Sequence, residues 1–464
     1  MSTMSGAKTD ATAIGQPQRR SLPPQGHPAG AASFYARPGL VALLLVTAGC
    51  GGGGGPVAGG LDSPDMPLEP TVEEMYTVGV LDGAPWEMFG SVRGVAFDED
   101  GTLFILDNDA GHIVVVDASG EFVRTISNKG EGPGELNQPI AMAVFADGGI
   151  GVNDLTRGIR FFSREGEFLR EAAFSMADGA PGAPIHALAD GAVLSAELVG
   201  GSLSRLLGGD GAAPEGRPIR RYRLDGTHDV FYAAWARPSG EEMEVRAGGV
   251  RMVMSGAEPF PLPLAVGVLR DGRVAVADSV GYRIKLLDAS GRVTSTLERP
   301  LAPVAVTEAI REAERELRLA AAQSEGGGGN AITMMGRLSG AVGSRRSGGA
   351  PSAPDPDVIR RMIDDRIRNL SFPDEIPVIA NLAVDWSDRI WVQRSALPGE
   401  TGPTDILTAN GRYFGTIAPD GLRIPNAFGP GGLLAYIERD ELDIQRVRVV
   451  RLVGNPLLET AGDD

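Results

Sequence analysis

Asp100-Gly101-Thr102-Leu103-Phe104-Ile105-Leu106-Asp107, continuing through His112-Ile113-Val114-Val115-Val116 to Asp117-Ala118-Ser119-Gly120, is a stretch the chain uses more than once. Its markers Asp100-Gly101, Asp107, Ile113, Asp117 and Gly120 return at identical spacing as Asp271-Gly272, Asp278, Ile284, Asp288 and Gly291. A copy one residue tighter runs Asp147-Gly148, Asp154, Ile159, Ser163 and Gly166. A period of about 40 residues made of short strands and turns signals a propeller or a solenoid. Within one copy, Gly94 to Asp98, Leu103 to Leu106, Ile113 to Val116 and Phe122 to Ile126 read as four strands. Asp-Gly and Asp-x-x-Gly make the hairpin turns between them, because Gly accepts the positive φ such turns need. Four strands per unit describe a propeller blade.

Working outward, Ile140 to Glu171 is a second unit. A third begins at Ile185 and resumes, after an insertion, at Ile219 to Tyr232. Leu264 to Leu297 is the fourth, and Val378 to Ile417 the fifth, with Trp386-Ser387-Asp388-Arg389 in place of the Asp-Gly turn. The sixth is incomplete: Leu433 to Ile437 and Arg446 to Leu452 supply strands, but no outer one follows. Tyr76 to Leu81 is an orphan strand ahead of the first unit. Pairing it with the last blade closes the ring and removes an exposed sheet edge. The expected fold is all-β: a six-bladed propeller of four-stranded antiparallel blades over 73–454, closed by an N-terminal strand.

These units resemble the NHL-type six-bladed β-propellers of exported bacterial proteins. The resemblance rests on the linker Lys129-Gly130-Glu131-Gly132-Pro133-Gly134-Glu135-Leu136, on Phe372-Pro373 followed by the Asp385 to Val392 run, and on Tyr436-Ile437-Glu438-Arg439-Asp440. It implies a fold and leaves activity open, since this architecture carries lyases, lactonases, ligand binders and protein-binding modules alike.

Two stretches break the rhythm. The insertion 236–260 carries one uncertain strand, Glu244 to Met254. The insertion 301–376 reads as two amphipathic helices, Glu308 to Ala322 with Thr307 as N-cap and Asp357 to Leu370, around a disordered Gly- and Arg-rich centre at 326–356. Such an insertion, lying between blades 4 and 5, suits a lid over a propeller mouth or a docking surface.

The N-terminal 49 residues read as an export signal. Arg19, Arg20 and Arg37 precede the apolar run Leu40 to Val46, which is too short to remain as a membrane span. Thr47-Ala48-Gly49-Cys50 resembles the bacterial lipobox, which implies lipidation at Cys50. Gly51 in place of an Asp points, by the same resemblance, to the outer membrane. Residues 50–72 are Gly- and Pro-rich and read as a disordered tether, and 455–464 as a disordered tail. The expected location is the cell envelope, lipid-anchored and extracytoplasmic.

The formal charge of −17 becomes about −20 once the signal is removed. Such a surface repels phosphates, which argues against nucleic acid as a partner. With one cysteine there is no intrachain disulfide. No G-x-S-x-G elbow or phosphate-binding G-x-x-x-x-G-K is present, and no cofactor is implied.

Candidate site residues come from the repeat. Asp107, Asp154 and Asp278 occupy equivalent strand ends, so a ring brings them to one face. Two readings stand beside each other: a polar-ligand or cation site, since carboxylates suit hard cations, or caps that accept backbone N–H groups of their own loops. His112 and Arg283 stand at equivalent places, each just before the repeated Ile, and join them as candidate ligand-binding residues. No zinc site is implied, because His112, His186 and His228 lack metal-ligand spacing. The expected function is a membrane-tethered binding or scaffold module for an unknown protein, peptide or small polar ligand. The alternative is a metal-assisted hydrolase or lyase, of lactonase or amidating type, at the propeller mouth.

Overall fold

Strands Leu103–Asp107 and His112–Val116 are buried along their whole length apart from His112, whereas the last strand of the same unit, Phe122–Ile126, is mostly exposed. Continuous burial requires cover on both faces of the sheet. In the computed structural model, which describes residues 59–174, 180–197, 216–237, 243–247, 250–254, 258–323 and 356–453, neighbouring blades provide that cover. Leu103, Ile105, Val114 and Val116 pack with Leu433, Ala435, Val447 and Val449 of the last blade. The alternate residues Phe104, Leu106, Ile113 and Val115 pack with Met142, Ile150, Val152 and Phe162 of the next. Period-two alternation therefore feeds two different cores from one strand.

Six four-stranded antiparallel meanders form the ring. From the inner to the outer strand, blade 1 is Val92–Phe97, Leu103–Asp107, His112–Val116 and Phe122–Ile126. Blade 2 is Pro139–Val144, Ile150–Asp154, Gly158–Phe162 and Phe168–Ala172. Blade 3 is Pro181–Ala187, Val193–Glu197, Arg217–Tyr222 and His228–Ala234. Blade 4 is Ala265–Val268, Val274–Ala277, Arg283–Leu287 and Val293–Glu298. Blade 5 is Ile379–Val384, Arg389–Arg394, Thr404–Thr408 and Tyr413–Ile417. Blade 6 takes Ala427–Phe428, Leu433–Arg439 and Gln445–Val453 from the end of the chain, and its outer strand is Thr71–Val78. The N-terminal strand closes the ring as expected, five residues earlier than the orphan strand was placed.

The Asp-Gly turns behave as the sequence implies. Gly101, Gly148 and Gly272 have φ of 81°, 83° and 84°. The Asp98 carboxylate accepts N–H groups from Asp100 and Thr102 across its turn. Blade 5 has no glycine there, and Asp388 takes the left-handed conformation instead, at φ 57°.

Residues 59–72 differ from the expected disordered tether. The part described here is a strap laid along the outer edge of blade 5. Gly59 and Tyr413 exchange backbone hydrogen bonds, Leu68 N–H donates to Thr416, and Thr416 N–H to Met66. Arg299 reaches the strap's Leu61 and Ser63 carbonyls and the Asp65 carboxylate, and its Nη1 lies 2.9 Å from Asp405 Oδ2. Arg394 joins Asp65 at 2.7 Å and Asp405 at 2.8 Å. Asp405 is fully buried and Arg299 nearly so, and the Arg299 guanidinium lies 4.0 Å from the centre of the Tyr413 ring. Burying these charges is tolerable only because each has an opposite partner. Composition suggested a leash; partners hundreds of residues away make it a clamp.

Helix α1 (Glu308–Gln323) starts where Thr307 Oγ1 accepts the Ile310 N–H, and α2 (Pro356–Arg368) follows. Both match their expected bounds to within two residues. The 236–260 insertion holds a hairpin, Met243–Ala247 with Val250–Met254. The centre of the larger insertion from 324 to 355, the export signal, Cys50 and the 455–464 tail lie outside the described residues.

Candidate functional site

In an antiparallel meander the second strand of a blade ends on the same rim as the links between blades. The other rim carries the tight turns. Asp107, Asp154 and Asp278 therefore share the link rim, and so do both insertions, which replace the links between blades 3 and 4 and between blades 4 and 5.

On that rim the carboxylates are committed. Asp107 accepts N–H groups from Gly90 and Ser91 in the preceding link and from Asp109 in its own loop. Asp154 accepts from Asn137 N, Gln138 N, Thr156 N and Thr156 Oγ1. These are the geometry of caps that pin each link to its blade. His112 stands across the ladder from Asp107, and partial burial lowers its pKa although the Asp107 charge opposes the shift. Arg283 pairs with Glu298 at 2.7 Å on an exposed outer surface. The repeat thus aligns the five candidate residues blade by blade, with Asp107 and His112 facing each other across one ladder. Among the described residues no three His, Cys, Asp or Glu side chains converge on a point that suits a metal ion.

Asp278 differs from its counterparts. The link before blade 4 is replaced by an insertion, and among the described residues one backbone donor, Trp235 N–H just ahead of that insertion, reaches the carboxylate, at 3.0 Å. Lys285 Nζ at 2.9 Å and Tyr232 Oη at 3.1 Å supply the remaining donors, and Lys285 also donates to Tyr232 at 2.8 Å. Burial raises the Tyr232 pKa. Burial opposes the Lys285 charge, but Asp278 and Tyr232 outweigh it and raise the Lys285 pKa. Both groups stay protonated and serve as donors. Trp235 itself remains 45% exposed beside this cluster. Arg217 fixes the insertion's two ends by donating to the carbonyls of Trp235, Leu262 and Pro263.

The two insertions touch. The Phe260 and Phe372 rings lie 6.2 Å apart, the Arg315 guanidinium is 5.1 Å from the centre of the Phe372 ring, and Arg318 donates to the Glu258 carbonyl. These contacts join described parts of the two insertions on the link rim.

The turn rim is bridged. Glu99 of blade 1 and Arg270 of blade 4 pair at 3.2 Å, and these blades stand opposite each other in a six-bladed ring. Arg270 N–H donates to Asp388 of blade 5, and its guanidinium covers the Trp386 ring at 4.9 Å. Trp386 donates to the Phe428 carbonyl of blade 6. Trp391 is a core residue, fully buried and bonded to Asp385. Trp86 is half-buried and stacks on Phe122 at 5.0 Å. His186 lies on the inner strand of blade 3, where burial lowers its pKa to about 4, so the ring is neutral.

Sequence reasoning named Asp278 but not Lys285, Tyr232, Trp235 or Arg217 around it. One signal was present: Lys285 follows the repeated Ile284, where blade 1 has Val114.

A family model described as a 6-bladed beta-propeller matches residues 88–175, which span blades 1 and 2. Nothing among curated proteins matches the chain. Solved structures similar to it include an exported-protein candidate from Bacteroides fragilis, at 12% identity and TM-score 0.43, covering 83% of this chain and 95% of that one. Virginiamycin B lyase from Staphylococcus aureus follows at 11% and 0.40, covering 82% and 99%. A gluconolactonase from Xanthomonas campestris has 12% and 0.35, covering 86% and 98%.

Proposed function

We propose that the chain is a membrane-tethered, extracytoplasmic binding module, of the NHL-type kind read from its inter-blade linkers, whose protein, peptide or small polar ligand seats on the link rim over blades 3 to 5. The observation that carries this reading is the meeting of both insertions on one rim, beside an exposed Trp235 and the Asp278–Lys285–Tyr232 cluster. The turn rim is occupied by the Glu99–Arg270 bridge, and the repeated carboxylates are spent on caps, which leaves the non-repeating sector as the surface with chemistry to spare. Exposed aromatic residues beside a charged group are common anchors in binding surfaces. The alternative, a lactonase- or lyase-type enzyme, gains no support from Asp107 or Asp154, whose oxygens already hold N–H donors.

A photo-crosslinking residue at position 235, introduced into the full chain in its native envelope, tests the binding reading. A discrete adduct is expected there and not with the crosslinker at Ser290 on the turn rim. Excising 308–373 while keeping the Val304–Ala305 and Glu375–Ile376 pairing should abolish the adduct. Equal labelling at both rims, or no adduct, counts against this reading; turnover of a lactone by the purified protein would favour the enzyme. Cys50→Ala checks the tether separately, and is expected to move the protein from the membrane to the soluble fraction.

A further inference from the structure

Blade 5 keeps two arginines of blade 4 and lacks the acids that pair with them. In blade 4, Arg273 follows the inner turn and donates to Asp271 at 2.7 Å, and Arg292 follows the outer turn and donates to Asp288 at 3.3 Å. The turns themselves are closed by Leu269 N–H on the Arg273 carbonyl and Asp288 N–H on the Arg292 carbonyl. The same bonds recur in blade 5, from Asp385 to Arg389 and from Thr408 to Arg412. In that register Ser387 stands where blade 4 has Asp271, and Thr408 where it has Asp288. Blades 1 to 3 carry Thr102, Gly149 and Ala192 at the place of Arg389, so the fold itself does not call for arginine there.

The exchange leaves a buried cation without a partner. Arg389 is 3% exposed, and its Nη1 is enclosed with no acceptor. The acids of its own turn are committed. Asp385 Oδ1 accepts the Ser387 and Arg389 N–H groups, and its Oδ2 accepts the Trp391 indole N–H. Asp388 Oδ1 accepts the Arg270 N–H of blade 4 at 2.7 Å. Burial lowers the Arg389 pKa, and the Asp385 charge opposes that only in part. Among the described residues neither Arg389 nor Arg412 forms an ion pair. Both guanidiniums lie 5.7 Å from the centre of the Phe414 ring, at the joint between blades 5 and 6. A buried charge left unpaired is costly, and keeping one in a single blade marks a place that a ligand completes.

We infer that Arg389 and Arg412 form an oxyanion site beside Phe414, which takes the carboxylate or phosphate group of a small ligand at the turn rim of blades 5 and 6. The ligand supplies the negative charge that Asp271 and Asp288 supply in blade 4. A guanidinium fork matches the paired oxygens of either group. This site lies on the rim opposite the one proposed above and stands or falls independently of it.

The probes are inorganic phosphate and succinate, each titrated into the full chain by isothermal calorimetry at constant ionic strength. Saturable binding of at least one is expected, and the tighter of the two names the source of the oxyanion. Arg389→Met should weaken it at least tenfold and Arg412→Ala at least threefold. Ser387→Asp restores the acid that blade 4 has, at an exposed position that leaves Arg389 and the fold in place, and should also weaken binding at least tenfold. Arg273→Ala, at the paired equivalent in blade 4, should change nothing. Absence of saturable binding of both anions, or an affinity that Ser387→Asp leaves unchanged, overturns the inference. Equal loss in Arg273→Ala would also overturn it, since the binding would then follow surface charge in general.

Discussion

Asp154→Asn separates the two meanings of the repeated aspartate. The wild-type carboxylate satisfies four donors, with Asn137 and Gln138 N–H on Oδ2 and Thr156 N–H and Oγ1 on Oδ1. Asparagine has one carbonyl oxygen. If that oxygen keeps the link donors, an NH₂ group faces the Thr156 N–H, and the threonine hydroxyl must turn to accept. If it keeps Thr156, two link N–H groups lose their acceptor. Each unsatisfied buried donor costs about 1–3 kcal/mol, so the substitution should destabilise by about 2–4 kcal/mol. With an m-value of about 4 kcal/mol/M for a domain of this size, the urea midpoint falls by about 0.5–1 M. Equilibrium urea unfolding followed by tryptophan fluorescence reads this directly. Arg283→Ala, which removes an exposed pair, should shift stability by less than about 0.5 kcal/mol. A midpoint unchanged in Asp154→Asn, accompanied by loss of ligand, would refute the capping assignment and return the carboxylate to the binding site.

Two further outcomes follow from the packing and the clamp. Gly291→Ala and Gly272→Ala share positive φ, at 81° and 84°, but a Cβ on Gly291 would stand 1.9 Å from the Phe231 carbonyl oxygen while one on Gly272 meets nothing within 4 Å. Gly272→Ala should therefore lose only the left-handed strain of about 1–2 kcal/mol, and Gly291→Ala clearly more, in the same urea assay. Arg299→Ala leaves Asp405 buried with one partner fewer, which should cost about 3–5 kcal/mol and hasten proteolysis within residues 59–70. Acid should act in the same direction. Burial opposes the Asp65 charge, but Arg394 and Arg299 outweigh it and hold its pKa below the usual carboxylate value. A depressed pKa gives stability that is present above about pH 4 and lost as pH falls through the folded-state pKa. Strap cleavage by an acid-active protease should rise in that range for the wild type and respond less in Asp65→Asn.

Local and periodic features were legible in the sequence. Asp-Gly pairs fix turns through neighbours two to four residues away, and alternating apolar residues fix strands, so blades, helix bounds and ring closure could all be read. The strap could not. Gly59 to Pro70 has the composition of a linker, and its order comes from Arg299, Arg394 and Tyr413, which no local pattern connects to it. The candidate site divides the same way. Equivalence of Asp107, Asp154 and Asp278 was visible because the repeat carries it. That Asp278 alone gathers Lys285 and Tyr232 depends on a missing link and on contact between two blades. The Glu99–Arg270 bridge, whose partners are 171 positions apart in the chain, is likewise a product of ring closure.

The strap also decides where a mechanical load goes. Thr71–Val78 is at once the strand that closes the ring and the part of the propeller nearest the N-terminus. Tension arriving from that side would otherwise peel this strand from Gln445–Val453 one hydrogen bond at a time. It meets Gly59 first, then the Arg299 and Arg394 clamp on Asp65, and both are held by blades 4 and 5. The clamp works as a cable grip, passing the pull to the body of the ring before it reaches the seam.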